Sequence, residues 1–252
     1  MAPLSMFRFF DLPAEIRSAI LSELLVSDCG IVLHNQTLFR LPLTGHKTVL
    51  NILLVNMQMY QEASAIFYTQ NRFVLNAQSH RLPVHLTGPG GFLSEQARDA
   101  RRRVQSFTLF LTRIGGEFES TLGPALADMI LCGSLRQLRL CLGPPPSQPT
   151  SRRGSDSNIT QRSPFQSLLR LLSDPYLEAV ELKVWKVHWN VFCPFHSHKL
   201  QSRDGKPLHE STDGTGLAII HNGPDWVKLS WKNLVEILGS GQRIVQVGDR
   251  NY

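Results

Sequence analysis

The chain has 252 residues, a net charge of +6 and a pI near 9.4, and 42% of its residues are hydrophobic. This length and composition can supply a real core for one large or two small domains, and the moderate basicity would tolerate an acidic partner. No run of about 18 apolar residues is present, so we expect no transmembrane helix, and Asp11, Pro13 and Glu15 interrupt any secretory signal.

Two helices are predicted in the first third of the chain, at residues 11–25 and 51–68. Between them, residues 31–33 and 37–41 read as the strands of a short hairpin, and a further strand follows at 73–75. The first helix carries two apolar spines with a spacing of four residues, which consist of Leu12, Ile16, Ile20 and Leu24, and of Leu21 and Leu25.

The middle of the chain alternates helix and strand. Three such units are predicted, with helices at 94–103, 117–131 and 165–173 and strands at 104–111, 135–142 and 177–187. Helix–strand units in series favour a parallel sheet with right-handed crossovers. Leu135, Leu138 and Leu140 show the rhythm of a leucine-rich repeat, although the units are too irregularly spaced for a regular solenoid.

The remaining segments are less regular. Residues 143–164 are rich in Pro, Ser, Gly and Arg and are predicted to form a disordered loop. A strand is predicted at 216–221, a helix at 231–238 with Ser230 as its N-cap, and a last strand at 243–247.

Two linked segments near the N-terminus carry the clearest pattern in the chain. The first is an aromatic residue followed by Leu-Pro-x-Glu-Ile-Arg, and the second is Val-Asn-x-Gln-x-Tyr-x-Glu-Ala, which leads into Tyr and Asn-x-Phe. The pattern resembles that of the fungal F-box-like families. The matching positions are Phe9 or Phe10, Leu12, Pro13, Glu15, Ile16, Arg17, Val55, Asn56, Gln58, Tyr60, Glu62, Ala63, Tyr68, Asn71 and Phe73.

This resemblance, over residues 7–76, implies a partner. In true F-box proteins the Leu-Pro helix and its neighbour bind the Skp-type adaptor of cullin–RING ubiquitin ligases, and the rest of the chain holds a substrate. Carried over by position, Leu12, Pro13 and Ile16 would form the adaptor contact, with Ile20 extending it. The chain departs from an ordinary F-box, which is contiguous, because the predicted hairpin and loop at 31–49 separate the two helices.

The two spines of the first helix allow two interpretations. They form an apolar arc wider than one packing face needs, so the apolar side chains that are not used for packing within the chain can contact a partner helix. Alternatively both spines are buried within this chain, which we favour because buried helices are commonly apolar over most of their surface. For Asn56, Gln58 and Glu62 we likewise favour a structural role, satisfying groups of the hairpin, over a polar recognition edge.

Tyr60, Phe67 and Tyr68 are predicted to be core aromatics. The four cysteines, at positions 29, 132, 141 and 193, are predicted to be reduced core thiols of a cytoplasmic or nuclear protein.

Two weaker patterns bear on other functions. Cys193, His196 and His198 are ligand-type residues, but His188 and His209 do not complete a known zinc spacing, so we expect no metal and no cofactor. Residues 101–103 and 152–153 are arginine clusters, which lack the reading element or stacking aromatics that nucleic-acid binding needs.

No nucleotide-binding, hydrolase or metalloprotease motif is present. The sequence therefore predicts a non-enzymatic protein-interaction module. Its expected role is that of a substrate adaptor for a Skp–cullin–RING ubiquitin ligase, with an unknown protein substrate. The alternatives are a structural or regulatory scaffold without a ubiquitin link and, third, a weak nucleic-acid binder.

The predicted fold is α+β to α/β. It has F-box-like helices with an inserted β-hairpin at 7–76 and an irregular leucine-rich-repeat-like βα sheet at 77–252.

Overall fold

The structure is a computed structural model, and it describes residues 8–33, 51–77, 82, 84–111, 114–143, 162–185, 218–220, 226–229, 232 and 235. The described residues form a mixed helix and strand fold of the α/β type. Its strands are β1 (Ile31–Leu33), β2 (Arg72–Ala77), β3 (Ser106–Leu111), β4 (Gln137–Leu142), β5 (Ala179–Trp185), β6 (Ala218–Ile220) and β7 (Trp226–Leu229).

The helices alternate with these strands along the chain. They are α1 (Ala14–Leu25), α2 (Met57–Gln70), α3 (Val84–Thr87), α4 (Arg98–Arg102), α5 (Gly123–Leu131) and α6 (Ser163–Leu172). Short 3-10 turns at Phe9–Asp11 and Glu95–Ala97 precede α1 and α4, and a π turn at Phe118–Leu122 runs into α5. None of the described helices is long and apolar enough to cross a lipid bilayer.

All seven strands belong to one sheet, in the order β1-β2-β3-β4-β5-β7-β6. The first five are parallel and lie side by side in chain order, while β7 is antiparallel to both β5 and β6. Successive right-handed crossovers between such neighbours place their helices on the same face of the sheet. The predicted parallel sheet is therefore confirmed.

The hydrophobic core lies on one face of this sheet. Alternate strand residues meet the buried side chains of the helices there, and the parallel register aligns them in rows. The two central rows are Phe73, Phe107, Leu138 and Val180, and Leu75, Leu109, Leu140 and Leu182. Side chains of the opposite face, such as Val74 and Thr108, do not belong to the described core.

The sheet also joins the two predicted regions of the chain. The boundary expected between residues 76 and 77 falls inside β2, which pairs along its whole length with β3. The core runs on from Phe73 to Phe107 without a break.

Two helices begin later in the structure than predicted. The predicted helix at 51–68 is a helical turn at 51–53 followed by α2, because Asn56 is extended (φ −164°, ψ 174°) and its Oδ1 accepts from Met59 N at 2.8 Å. Likewise α1 begins at Ala14, with Pro13 as its N-cap instead of a first-turn residue.

Other differences concern short elements and the predicted loop. β7 and the four-residue α3 were not predicted. The loop predicted over 143–164 ends earlier than expected, since α6 begins at Ser163 with a proline in its first turn. The strand partner at 37–41, the bulk of the loop, the Cys193 cluster and the strand at 243–247 lie outside the described residues, so the hairpin stays a prediction.

Gly30 is a position where the connection from α1 into β1 requires glycine. Its φ is +78°, and an added Cβ would lie 2.8 Å from the Arg72 carbonyl oxygen in β2. Both the left-handed backbone and this close approach penalise a side chain.

We expect Gly30→Ala to lower the free energy of unfolding by about 1–3 kcal/mol, measured by urea denaturation. Gly115→Ala is the matched control, because its φ is not positive and nothing lies within 4 Å of the added Cβ. Equal stability of the two variants would contradict this role for Gly30.

Candidate functional site

The apolar surface of α1 is divided between the core and solvent. Leu21 and Leu25 pack into the core with 1% of their surface exposed. The other spine is open, since Ile16 is 48%, Ile20 37% and Leu24 50% exposed. The expectation that both spines are buried is therefore wrong for the spine that contains the predicted contact residues.

The position of α1 in the fold explains this exposure. It precedes β1, the first strand of the described sheet order, and packs on α2, so it lies at the end of the helix layer. A helix inside such a layer has a neighbour on both sides, whereas a terminal one has only one. One lateral face of α1 therefore meets solvent while carrying three large aliphatic side chains.

The residues that precede α1 complete the predicted surface. Pro13 is exposed and Leu12 is half-buried. Arg17 fixes this turn by donating from Nη1 to the Leu12 carbonyl oxygen at 2.6 Å. The structure thus brings Leu12, Pro13, Ile16 and Ile20, together with Leu24, to the start and the open side of one helix.

A bidentate ion pair joins α1 to α2. Arg17 Nε and Nη2 donate to the two carboxylate oxygens of Glu62 at 2.9 and 2.8 Å. Gln58 Nε2 also donates to Glu62, at 3.1 Å. The Arg17 and Gln58 hydrogen bonds hold the pKa of the Glu62 carboxyl below its ordinary value. Planar fork geometry of this kind sets orientation as well as distance, so it fixes how α1 lies on α2.

Asn71 secures the other end of α1. This side chain is fully buried, and its Nδ2 donates to the carbonyl oxygens of Leu25 and Phe67, both at 2.9 Å. Its Oδ1 accepts from Ser27 N at 2.8 Å. A single amide thereby forms hydrogen bonds with backbone groups at the ends of α1 and α2, which would otherwise be buried without hydrogen-bond partners.

These contacts explain the polar positions of the N-terminal pattern. Asn56 caps α2, Gln58 donates to Glu62, and Glu62 pairs with Arg17, so the favoured structural role of all three is supported. Their partners are helix groups, however, and the expected hairpin partners lie outside the described residues.

The aromatic predictions for α2 hold only in part. Phe67 is fully buried and packs edge-on against Phe73, and Tyr68 is half-buried. Tyr60, in contrast, is 38% exposed, so the expectation of a core residue is wrong for it. It lies under Arg103, whose guanidinium carbon is 5.8 Å from the ring centroid. An open groove of about 500 Å³ runs beside this pair along α2.

The arginine cluster of α4 is held by contacts within the chain. Arg101 is buried and donates to the Phe92 and Ser94 carbonyl oxygens at 2.8 and 3.1 Å. Arg102 Nη2 pairs with Asp128 at 2.6 Å. With Arg103 over Tyr60, the three side chains point to different partners and do not form one phosphate-binding patch.

The cysteines do not all behave as predicted. Cys29 and Cys132 are free and exposed, so the core assignment is wrong for them, and Cys193 lies outside the described residues. Cys141 is buried, and this burial raises the pKa of its thiol to about 11. Within the described part of the chain no group of three or more His, Cys, Asp or Glu side chains is placed to hold a metal ion.

The sequence pattern identified the exposed spine by its periodicity, but it did not identify a second set of exposed hydrophobic residues before α2 and in its first turn. Leu54, Val55 and Met57, at the turn into α2, are 81%, 60% and 70% exposed. In the sequence these residues were marked by nothing more than an apolar run next to a capping asparagine.

Comparison of the chain with protein-family models, with curated proteins and with solved structures gives no match.

The Arg17–Glu62 pair should make stability depend on pH. Because the pKa of Glu62 is lowered on folding, the pair stabilises the fold fully above the ordinary carboxyl value of 4.5, and this contribution is lost as the pH falls through the lowered value. We expect Glu62→Gln to destabilise the protein at about pH 7, and the difference from wild type to shrink towards about pH 3.

Urea denaturation at a series of pH values measures this difference. Glu23→Gln is the control, since it removes an exposed carboxylate from α1 that makes no ion pair among the described residues. A Glu62→Gln effect that stays constant with pH would contradict a stabilising ion pair.

Proposed function

We propose that this protein is a non-enzymatic interaction module of the F-box-like type, which docks a Skp-type adaptor through the open spine of α1. The docking residues are Leu12, Pro13, Ile16 and Ile20, and Leu24 continues the same spine. The sheet behind them holds a protein substrate for ubiquitin transfer. Such a protein works in the cytoplasm or the nucleus.

The exposure of Ile16, Ile20 and Leu24 is the observation that carries this proposal. Large aliphatic side chains that stand in a row on one helix face form an apolar patch, and rows of this kind mark protein contacts. Covering a half-exposed isoleucine or leucine contributes about 1 kcal/mol. A few such anchors at the centre of an interface can dominate its affinity.

The rigid attachment of α1 also supports docking. Arg17 fixes its first turn and Asn71 its last, so the exposed spine is held in one orientation before any partner binds. A preorganised surface loses little conformational entropy on binding, and more of the contact energy appears as affinity.

The arginines of α4 give little support to nucleic-acid binding. Arg101 is buried against carbonyl groups and Arg102 is paired with Asp128, so that among the described residues Arg103 is the one arginine of this cluster that lines the groove. Duplex or single-strand binding needs several cations along one surface.

The test is capture of purified Skp-type adaptor by the full-length chain. We expect wild type to retain the adaptor and Ile16→Asp plus Ile20→Asp to lose at least about nine-tenths of it, since two buried charges would oppose the contact. Both residues are already solvent-exposed, so the variant should fold, which circular dichroism and thermal unfolding check.

Val84→Asp plus Leu131→Asp is the matched control. It places the same two charges at exposed apolar positions away from α1, which are 82% and 61% exposed. We expect the control to bind like wild type. Absence of adaptor binding by wild type would exclude the ubiquitin link and favour a scaffold role, and equal loss in both variants would exclude α1 as the contact.

A further inference from the structure

The groove beside α2 lies on the flank of this helix that faces away from α1. Tyr60 and Ser64 line the groove. Each of them stands two residues from Glu62, which carries the ion pair with Arg17 of α1. Residues two apart in an α-helix are about 200° apart around its axis, so the groove and α1 lie on opposite flanks of α2. A ligand in the groove therefore leaves the exposed spine of α1 free for the adaptor.

The groove is open to solvent and accessible to a partner. Its volume is about 500 Å³, which is in the range of sites that hold a ligand. Its wall opposite α2 comes from the chain just before β3 and β4, at Arg103 and Ser134. Most of the side chains that line the groove are exposed, namely Met57, Tyr60, Gln61, Ala65, Thr69 and Arg103. A segment of another protein can therefore reach the groups that would bind it.

The end of the groove at the start of α2 is apolar. Met57 is 70% exposed there, and Leu54 and Val55, just before the helix, are 81% and 60% exposed. The thioether side chain of methionine is flexible and polarisable, so it adapts to the shape of an apolar partner. An exposed hydrophobic cluster of this kind marks a contact with apolar side chains.

Arg103 supplies positive charge beside the middle of the groove. It lies over the Tyr60 ring, and its Nη1 is 3.4 Å from both the Tyr60 hydroxyl and Ser64 Oγ. These partners are neutral, and within the described part of the chain Arg103 makes no ion pair. Among the described residues that line the groove there is no Asp or Glu. An exposed guanidinium in such surroundings keeps several of its donors for a carboxylate.

The distance between the apolar end and the charge defines the spacing of a matching partner. Met57 and Tyr60 are three residues apart on α2, so their Cβ atoms are about 5–6 Å apart. In an extended peptide, side chains two residues apart share a face and are about 7 Å apart. One intervening residue therefore lets a carboxylate contact Arg103 while a large apolar side chain contacts Met57. A phosphate group, with about two negative charges, would suit a site with more than one cation.

We propose that the groove binds an extended segment of the captured protein in which an acidic residue and a large aliphatic residue are separated by one position. The carboxylate accepts hydrogen bonds from Arg103, and the aliphatic side chain packs on Met57. This inference rests on the proposed interaction function and names the class of substrate segment that the chain recognises.

Fluorescence anisotropy of the full-length chain tests the inference. The probe is fluorescein-labelled Gly-Ser-Leu-Ser-Glu-Ser-Gly, which we call the Glu peptide. We expect saturable binding that weakens at least about tenfold when Gln replaces Glu, because the charge-assisted hydrogen bonds are lost. Replacing Leu of the peptide by Ser should weaken binding about threefold or more, since the apolar contact with Met57 is removed.

Arg103→Glu separates recognition from a structural role of this residue. We expect the variant to lose the Glu peptide and to bind a peptide with Lys in place of Glu, because the charges at the contact are exchanged. Arg103 is exposed, so the variant should fold, which thermal unfolding checks. Arg170→Glu is the matched control, since it reverses the same charge at an exposed position of α6 outside the groove, and it should bind the Glu peptide like wild type.

Three results would overturn the inference. They are no binding of the Glu peptide by wild type, equal loss in the Arg103 and Arg170 variants, and equally tight binding of labelled oligothymidylate with the same dependence on Arg103.

Adaptor capture separates this inference from the proposed function. Arg103→Glu should still capture the adaptor, and Ile16→Asp plus Ile20→Asp should still bind the Glu peptide. Loss of adaptor capture by a folded Arg103→Glu variant would assign the groove to the adaptor and overturn its role in holding a substrate.

Discussion

The order of the parallel strands is the constraint on which the remaining structure depends. Five neighbours in chain order, joined by crossovers of one hand, put every connecting helix on the same side. That side takes the aliphatic and aromatic residues of each strand, such as Phe73, Phe107 and Leu138. The other side is free to carry polar groups, and the first helix in the series has a neighbour on one flank only. The exposed spine of α1 follows from this single arrangement.

Specific polar contacts then convert the arrangement into a defined surface. Apolar packing through Leu21 and Leu25 attaches α1 but does not by itself fix its rotation. The Arg17–Glu62 fork and the Asn71 amide do, because each requires particular directions as well as distances. Together they turn Ile16, Ile20 and Leu24 outward. The polar residues of the N-terminal pattern therefore serve the fold, and the apolar ones remain for contacts with a partner.

Local patterns predicted the sheet well. The apolar alternation at 104–111 and 135–142 identified β3 and β4, because successive side chains of a strand point to opposite faces and one face packs on the core. They could not predict which spine of α1 is buried, since both have the same period and the answer depends on where α1 lies in the layer. The start of α2 after Asn56 was missed because a capping asparagine competes with helical periodicity.

Asn71 stands at the junction of α2 and β2, and it bonds the backbone at the end of α1. If α1 alone unfolded, this buried amide would lose its hydrogen bonds to Leu25 and Ser27. Partial unfolding of the helix is therefore disfavoured unless the junction opens too. The surface of α1 and the central sheet consequently belong to one cooperative unit. A protein that recognises the intact helix thereby also distinguishes folded copies of this chain from copies whose sheet has come apart.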